Sequence, residues 1–262
     1  MSQIHPTAII DPLAKIGTDV SIGPYSIIGP KVKIGDRCKL HSHVVLDGNL
    51  TIGEDNTFFQ FSSVGAPPQD MGYQDEDTRV TIGTNNTFRE FTTIHRGTTK
   101  DQGVTTIGSH SLFMSYAHIG HDAVIGDHCV IVNSVNIAGH VRLGDRVILG
   151  GGTAVSQFIN IGKGAFIGGA SAVDRDVPPY CTGYGNRLRL KGINIVGMRR
   201  NKIERQLITE VVDFYRGMGA SALSPRSFVT QPENIDEFME NEIISMMVDF
   251  IQKSKVGIAP FI

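Results

Sequence analysis

Cysteine is scarce. The three present, Cys38, Cys129 and Cys181, show no C-x-x-C spacing and form no even set. That argues against a disulfide framework and a cysteine-based zinc site, and it suits a reducing compartment. Charge of one sign is also missing, because 24 basic residues face 26 acidic ones. No global pull toward nucleic acid or an anionic membrane follows, although a local basic patch can still form. No apolar run approaches the roughly 18–20 residues of a membrane helix. The opening "MSQIHPTAIIDP" has neither a basic leader nor an apolar signal core. A cytoplasmic, soluble chain without an integral membrane segment is expected. At 262 residues, 40% apolar and 19% charged, it can bury a substantial core.

What is abundant is periodicity. Steps of six from Ile4 meet Ile10, Ile16, Ile22, Ile28, Ile34, Leu40, Leu46, Ile52, Phe58 and Val64. The phase returns at Ile82, Phe88 and Ile94, then runs from Ile107 to Val173 without one polar residue. Glycine often follows, and the fifth position is small or β-branched, as at Ala8, Val20, Cys38, Ala117, Cys129 and Ala165. A period of six fits neither a helix nor one long alternating strand. It fits short strands joined by tight turns, with positions one and five facing inward. The signature is that of a mainly β chain, a left-handed parallel β-helix of hexapeptide repeats. Cys38 and Cys129 fall in the small inward slot, while Cys181 lies past the repeat with no assigned role.

The repeat breaks near 66–79, where "PPQDMGYQDED" reads as a projecting loop, and near 97–106, where an extra bulge is expected. The β-helix is expected over residues 1–190 and a helical domain over 191–262. In the second part Ile203, Leu207, Val211 and Phe214 form one apolar face, Asn201 and Glu204 resemble a capping box, and Gly217 is a plausible stop. A further helix follows "QPEN", with Phe238, Ile243, Met246, Met247 and Phe250 inward.

Three hexads close one coil, so residues 18 apart stack. From His121 this step reaches Gly139 and then Gln157, with His140 beside the glycine and His118 at the preceding corner. An outward imidazole, a backbone amide above it, a second histidine and a carboxamide make a column that a solvated surface histidine does not explain. General-base chemistry and a three-imidazole zinc site both fit it. Strand alternation argues against His121 pairing with Asp122 within one chain.

The motifs "HPTAII", "PPQDMGY", "FTTIHRGT", "AHIGHD", "IAGHV", "GGTAVSQF", "DVPPY" and "GINIVGMRR" resemble the UDP-N-acetylglucosamine O-acyltransferases, the LpxA family, over essentially the whole chain. The resemblance implies transfer of a 3-hydroxyacyl group from acyl carrier protein to the 3-position of UDP-N-acetylglucosamine, the first step of lipid A synthesis. It implies His121 as general base, Asp122 as its orienting acid and the Gly139 amide as oxyanion donor. Gln69, Asp70, His95, His118, His140, Gln157, Asn194 and Arg200 correspond to substrate-binding groups. Gly169 and Arg187 correspond to the acyl channel. No metal or diffusible cofactor is implied; the donor is the carrier's phosphopantetheine arm. A homotrimer with sites between subunits is implied too.

Ser156 replaces a frequent histidine, Gly72 a frequent lysine and Arg187 a frequent histidine, which leaves acyl length and an amine acceptor (the 3-amino sugar analogue) open. The basic run Arg187, Arg189, Lys191, Arg199, Arg200, Lys202 and Arg205 suits docking of acidic acyl carrier protein, against a plain solvated helix face. The rivals are a γ-type zinc carbonic anhydrase, a sugar N-acyltransferase, a coenzyme A-dependent acetyltransferase and a non-catalytic scaffold.

Overall fold

The computed structural model describes residues 3–262. It is a left-handed parallel β-helix followed by short helices. Among the described residues the strands form three faces of 11, 9 and 8 strands, each joining every third strand of the chain except at the end of the first, which adds Cys181–Tyr184 and Arg189–Ile193. Ordinary coils repeat at 18 residues, as in the Ser109–Asp127 hydrogen bond. The coil carrying the first loop spans 30 residues and the coil carrying the second spans 25. The second connection is shorter than expected: Val104–Ile107 is strand, paired with Arg79–Ile82, so only 96–103 projects.

The hexad aliphatics stack in register, Ile119 on Ile137 and Ile137 on Val155, and they are buried. Phe58, Phe88 and Phe113 are completely buried and stack at 4.7 and 4.8 Å. Parallel rings in such a column add about 0.5–1.5 kcal/mol per pair beyond their burial. Polar residues in the small slot survive by pairing across coils. Asn56 Oδ1 accepts from the Asn86 backbone and side chain, and Asn86 Oδ1 accepts from the Ser111 amide. Cys38 and Cys129 are buried in the same slot, and burial pushes the Cys129 thiol up to about 12.

The corners decide where side chains go. Many hold a non-glycine residue at positive φ, among them His43 (58°), Asp122 (59°) and His140 (63°). Each costs about 1–2 kcal/mol, offset by a hydrogen bond to the coil before, such as His140 N–H to His121 O at 3.0 Å. At the corner between the 11- and 9-stranded faces, Tyr25, His43, Phe61, Phe91 and Tyr116 stack ring on ring at 4.8–5.2 Å. All five rings are exposed.

Strand Arg189–Ile193 closes the last coil antiparallel to Cys181–Tyr184. Helices follow: α1 (Ile195–Arg200), α2 (Arg205–Ala220), α3 (Pro225–Phe228), α4 (Pro232–Ile235) and α5 (Glu242–Lys253). The expected capping box is absent. Asn201 ends α1, with its side-chain amide donating to Gly197 O, and Glu204 precedes α2 without a side-chain cap. Asn194 caps α1 instead. Gly217 lies inside α2, whose buried residues are Ile208, Val211, Phe214 and Met218. Ile203 and Leu207 are only half-buried. In α5 the buried set is Ile243, Ile244, Met247, Val248 and Ile251, with Met246 exposed.

Candidate active site

His118–Ile119 lies on the 9-stranded face and Val124–Ile125 on the 8-stranded face, so Gly120–Ala123 forms the corner between them. The alternation that separates neighbours on a strand does not apply at this corner. Asp122 has φ of 59°, which swings its carboxylate back beside His121. The pairing judged unfavourable from the sequence therefore exists: His121 Nδ1 lies 2.9 Å from Asp122 Oδ2, and both residues are buried. A carboxylate accepts, so Nδ1 carries the proton and Nε2 presents a lone pair.

Asp122 is itself held from the second loop. The Thr98 amide donates to both carboxylate oxygens at 3.0 Å, and the Thr98 hydroxyl donates to Oδ2 at 2.7 Å. The Asp122 amide donates to Thr105 Oγ1 at 2.8 Å. Neither threonine was singled out from the sequence, because they approach across a coil of irregular length.

Gly139 stacks one coil beyond His121, as the 18-residue step requires. A Cβ there would stand 2.6 Å from His121 Cε1 and 2.7 Å from Nε2. Only glycine lets the ring occupy that space. The Gly139 amide donates no hydrogen bond among the described residues. His140 meets His121 edge-on at 5.1 Å, stacks on Phe158 at 4.6 Å, and its Nδ1 is 3.2 Å from Asp101 Oδ2.

A second imidazole pair adjoins. His118 Nδ1 bonds Thr93 Oγ1 at 2.8 Å and its ring meets His95 edge-on at 5.0 Å. Burial first, then the neighbouring His118 and His121, drives His95 down to about 4; burial likewise lowers His118. Both rings are neutral at neutral pH, suited to hydrogen bonding with hydroxyls rather than to carrying charge. The unfolded chain protonates such a histidine near its ordinary 6.5, whereas the folded protein refuses the proton until about 4. Stability is thus full above 6.5 and declines as pH falls from 6.5 toward 4. The urea midpoint is expected to be lower at about pH 5 than at about pH 7.5, and replacing His95 with glutamine should narrow that difference.

Asp70 closes the site from the first loop. It is bonded to Lys100 Nζ at 2.7 Å and to the Gly72 amide at 2.7 Å, and the Lys100 ammonium, first of all, holds its carboxyl below the usual range. A side chain at position 72 would come within 3.1 Å of Lys100 Nζ, so the second loop's lysine fills that space. Gln69 and Gln157 are exposed, the latter one coil beyond Gly139.

Other expected site residues are not brought to His121 within the chain. Asn194 and Arg200 line a groove of about 600 Å³ with His128, Arg146 and Phe166 over the 11-stranded face. The Asn194 amide is already committed, accepting from Gly197 N and donating to Gly164 O. Gly169 sits exposed above the Gly150–Gly152 turn at the opposite edge of the 9-stranded face. Arg187 pairs with Asp174 at 2.9 Å and is otherwise in solvent.

The three-imidazole site expected for zinc is not assembled among the described residues. The ligand atoms of His121, Asp122 and His140 lie within 4.8 Å of one another. That set holds two imidazoles, not three, and Asp122 is filled by Thr98 and His121. His118 is tied to Thr93.

Residues 105–139 match the bacterial transferase hexapeptide model (six repeats), and 176–259 match domain 2 of Udp N-acetylglucosamine O-acyltransferase. The chain is 42% identical to the acyl-[acyl-carrier-protein]--UDP-N-acetylglucosamine O-acyltransferase of Myxococcus xanthus, covering 98% of this chain and 99% of that one. It is 43% identical to the Syntrophobacter fumaroxidans protein of the same name, with the same coverage. The structure of LpxA from Acinetobacter baumannii matches with a TM-score of 0.94 at 44% identity, covering 98% of this chain and 99% of that one. The carbonic anhydrase reading gives way to an acyltransferase, and the chain belongs to the UDP-N-acetylglucosamine O-acyltransferase family.

Proposed function

We propose that this enzyme transfers a 3-hydroxyacyl group from acyl carrier protein to the 3-hydroxyl of UDP-N-acetylglucosamine, opening lipid A synthesis, with His121 as general base. The observation that carries this reading is an imidazole whose Nδ1 is bound to a buried carboxylate and whose Nε2 is free. It lies against a glycine whose amide is unspent. His121 Nε2 takes the hydroxyl proton as the sugar oxygen attacks the thioester carbonyl. The Gly139 N–H holds the oxyanion. Collapse breaks the C–S bond, and the imidazolium returns its proton to the departing thiolate of the carrier's phosphopantetheine arm.

His95, His118 and Asp70 would grip the sugar around that oxygen, with Gln69, His140 and Gln157 around its rim. The nucleotide groups Asn194 and Arg200 and the basic row from Arg187 to Arg205 lie on other surfaces of the chain. A homotrimer in the cytoplasm, with a partner subunit supplying those groups to each site, reconciles the two sets. The exposed ring column from Tyr25 to Tyr116 favours cover by another subunit. The open corner at Gly169 and Gly150–Gly152 would take the acyl chain.

The test is a panel of 3-hydroxyacyl carrier proteins of graded length against UDP-N-acetylglucosamine and its 3-amino analogue. Ester formation with the hydroxyl sugar, dependent on the carrier, is the expected result. Transfer to the amine alone would reassign the acceptor, and no transfer from any donor would overturn the reading.

A further inference from the structure

The second loop, 96–103, exists because its coil is 25 residues long instead of 18. Three of its residues each touch a different group of the site. Thr98 binds Asp122, Lys100 binds Asp70 and Asp101 binds His140. The contact nearest the chemistry is the first. Gly97 makes it possible: a Cβ there would stand 2.3 Å from the Val104 nitrogen and 2.8 Å from Asp122 Oδ1. Without a side chain at 97 the loop's neck closes onto the carboxylate. The amide and hydroxyl of Thr98 then reach it together, and Thr98 is itself 3% exposed.

A carboxylate beside an imidazole can rotate about its own axis and let the hydrogen bond go. Asp122 cannot do so freely, because three of its interactions come from one residue. The Thr98 hydroxyl also donates to Oδ2, the same oxygen that receives His121 Nδ1. We propose that Thr98 is a positioning residue for the reaction. It locks Asp122 in the rotamer that fixes the His121 tautomer, and it tempers the charge on the oxygen facing the ring. This rests on the reading of His121 as the base.

Thr98→Val keeps the shape and the backbone donor but removes the hydroxyl; Thr98→Ser restores it. The expected result for Thr98→Val is a fall in kcat of about 10- to 100-fold, as for a lost hydrogen bond to a charged group. KM for both substrates should stay within about twofold, since nothing touching substrate is changed. Relieved of the hydroxyl, Oδ2 would hold the His121 imidazolium more tightly, so the acid limb of the kcat/KM profile should move to higher pH. The other titratable groups around the ring, His95, His118, His140 and Asp70, are unchanged in the variant. Thr98→Ser should recover to within about threefold of the parent.

Wild-type kcat and pH profile in Thr98→Val would overturn the proposal. So would a serine variant as impaired as the valine one, which would assign the loss to packing. The titration of His121 followed by NMR in histidine-labelled protein decides the same point without turnover. A midpoint raised in Thr98→Val supports the proposal, and an unmoved midpoint overturns it. A chain that transfers no acyl group at all would therefore fail the proposed function, while this inference would still be judged by that titration.

Discussion

Alanine at position 121 is expected to lower kcat for acyl transfer by about 100- to 10,000-fold, the usual contribution of a positioned general base. The sugar hydroxyl is a poor nucleophile while it keeps its proton. Among the groups gathered at this corner only His121 combines a free Nε2 with a buried carboxylate on the other nitrogen. His140 has its Nδ1 turned to Asp101 and its ring stacked on Phe158. His95 and His118 are held neutral by burial and engaged with each other. None stands in the same relation to Gly139. The variant should still fold, because Asp122 keeps all three hydrogen bonds from Thr98. The measurement is steady-state transfer from a 3-hydroxyacyl carrier protein, with a thermal melt as the control for folding. A variant that retains more than about a tenth of the parental kcat would remove His121 from the role of base.

Gly139→Ala should be nearly as damaging, about 100- to 1,000-fold in kcat, the range for losing one oxyanion donor. Two effects act together. The new methyl carbon would lie 2.6 Å from His121 Cε1, far inside the roughly 3.5–4.0 Å at which carbon atoms rest. Either the ring or the backbone has to move. If the ring moves, the bond to Asp122 is stretched; if the backbone moves, the amide no longer faces the reacting carbonyl. Substrate binding is less affected, since the groups proposed to grip the sugar most directly, His95, His118 and Asp70, come from other coils, so KM should change little while kcat collapses. The same assay checks this, and equal loss in KM and kcat would mean that Gly139 serves binding rather than the transition state. Stability should fall as well, because overpacking typically costs about 1–3 kcal/mol. The melting point of the variant records that cost separately.

Much of this molecule is fixed by chain chemistry that needs no structure to read. A strand two residues long followed by a tight turn can bury one residue in six and a small neighbour, and repetition forces every such position inward. Hence the aliphatic column, the burial of Cys38 and Cys129, and the stacking of Gly139 over His121 are all consequences of the hexad period. Where the period is regular, register is arithmetic.

Tertiary structure decided the rest, and each case has a local cause. Strand alternation separates His121 from Asp122, but the corner places Asp122 at positive φ and reunites them. Thr98 reaches Asp122 from 24 residues away, through a loop whose length obeys no repeat, so no fixed step along the chain could find it. Asn201 and Glu204 carry the residue types of a capping box for α2, yet Asn201 is spent on the end of α1, its side-chain amide donating to Gly197 O, and Glu204 precedes α2 without a side-chain cap. Lys100 takes the space left by Gly72 only because two loops from successive coils meet. Period sets what lies inside the β-helix; corners and loops, where the backbone leaves the period, set which side chains meet outside it, and the chemistry is outside.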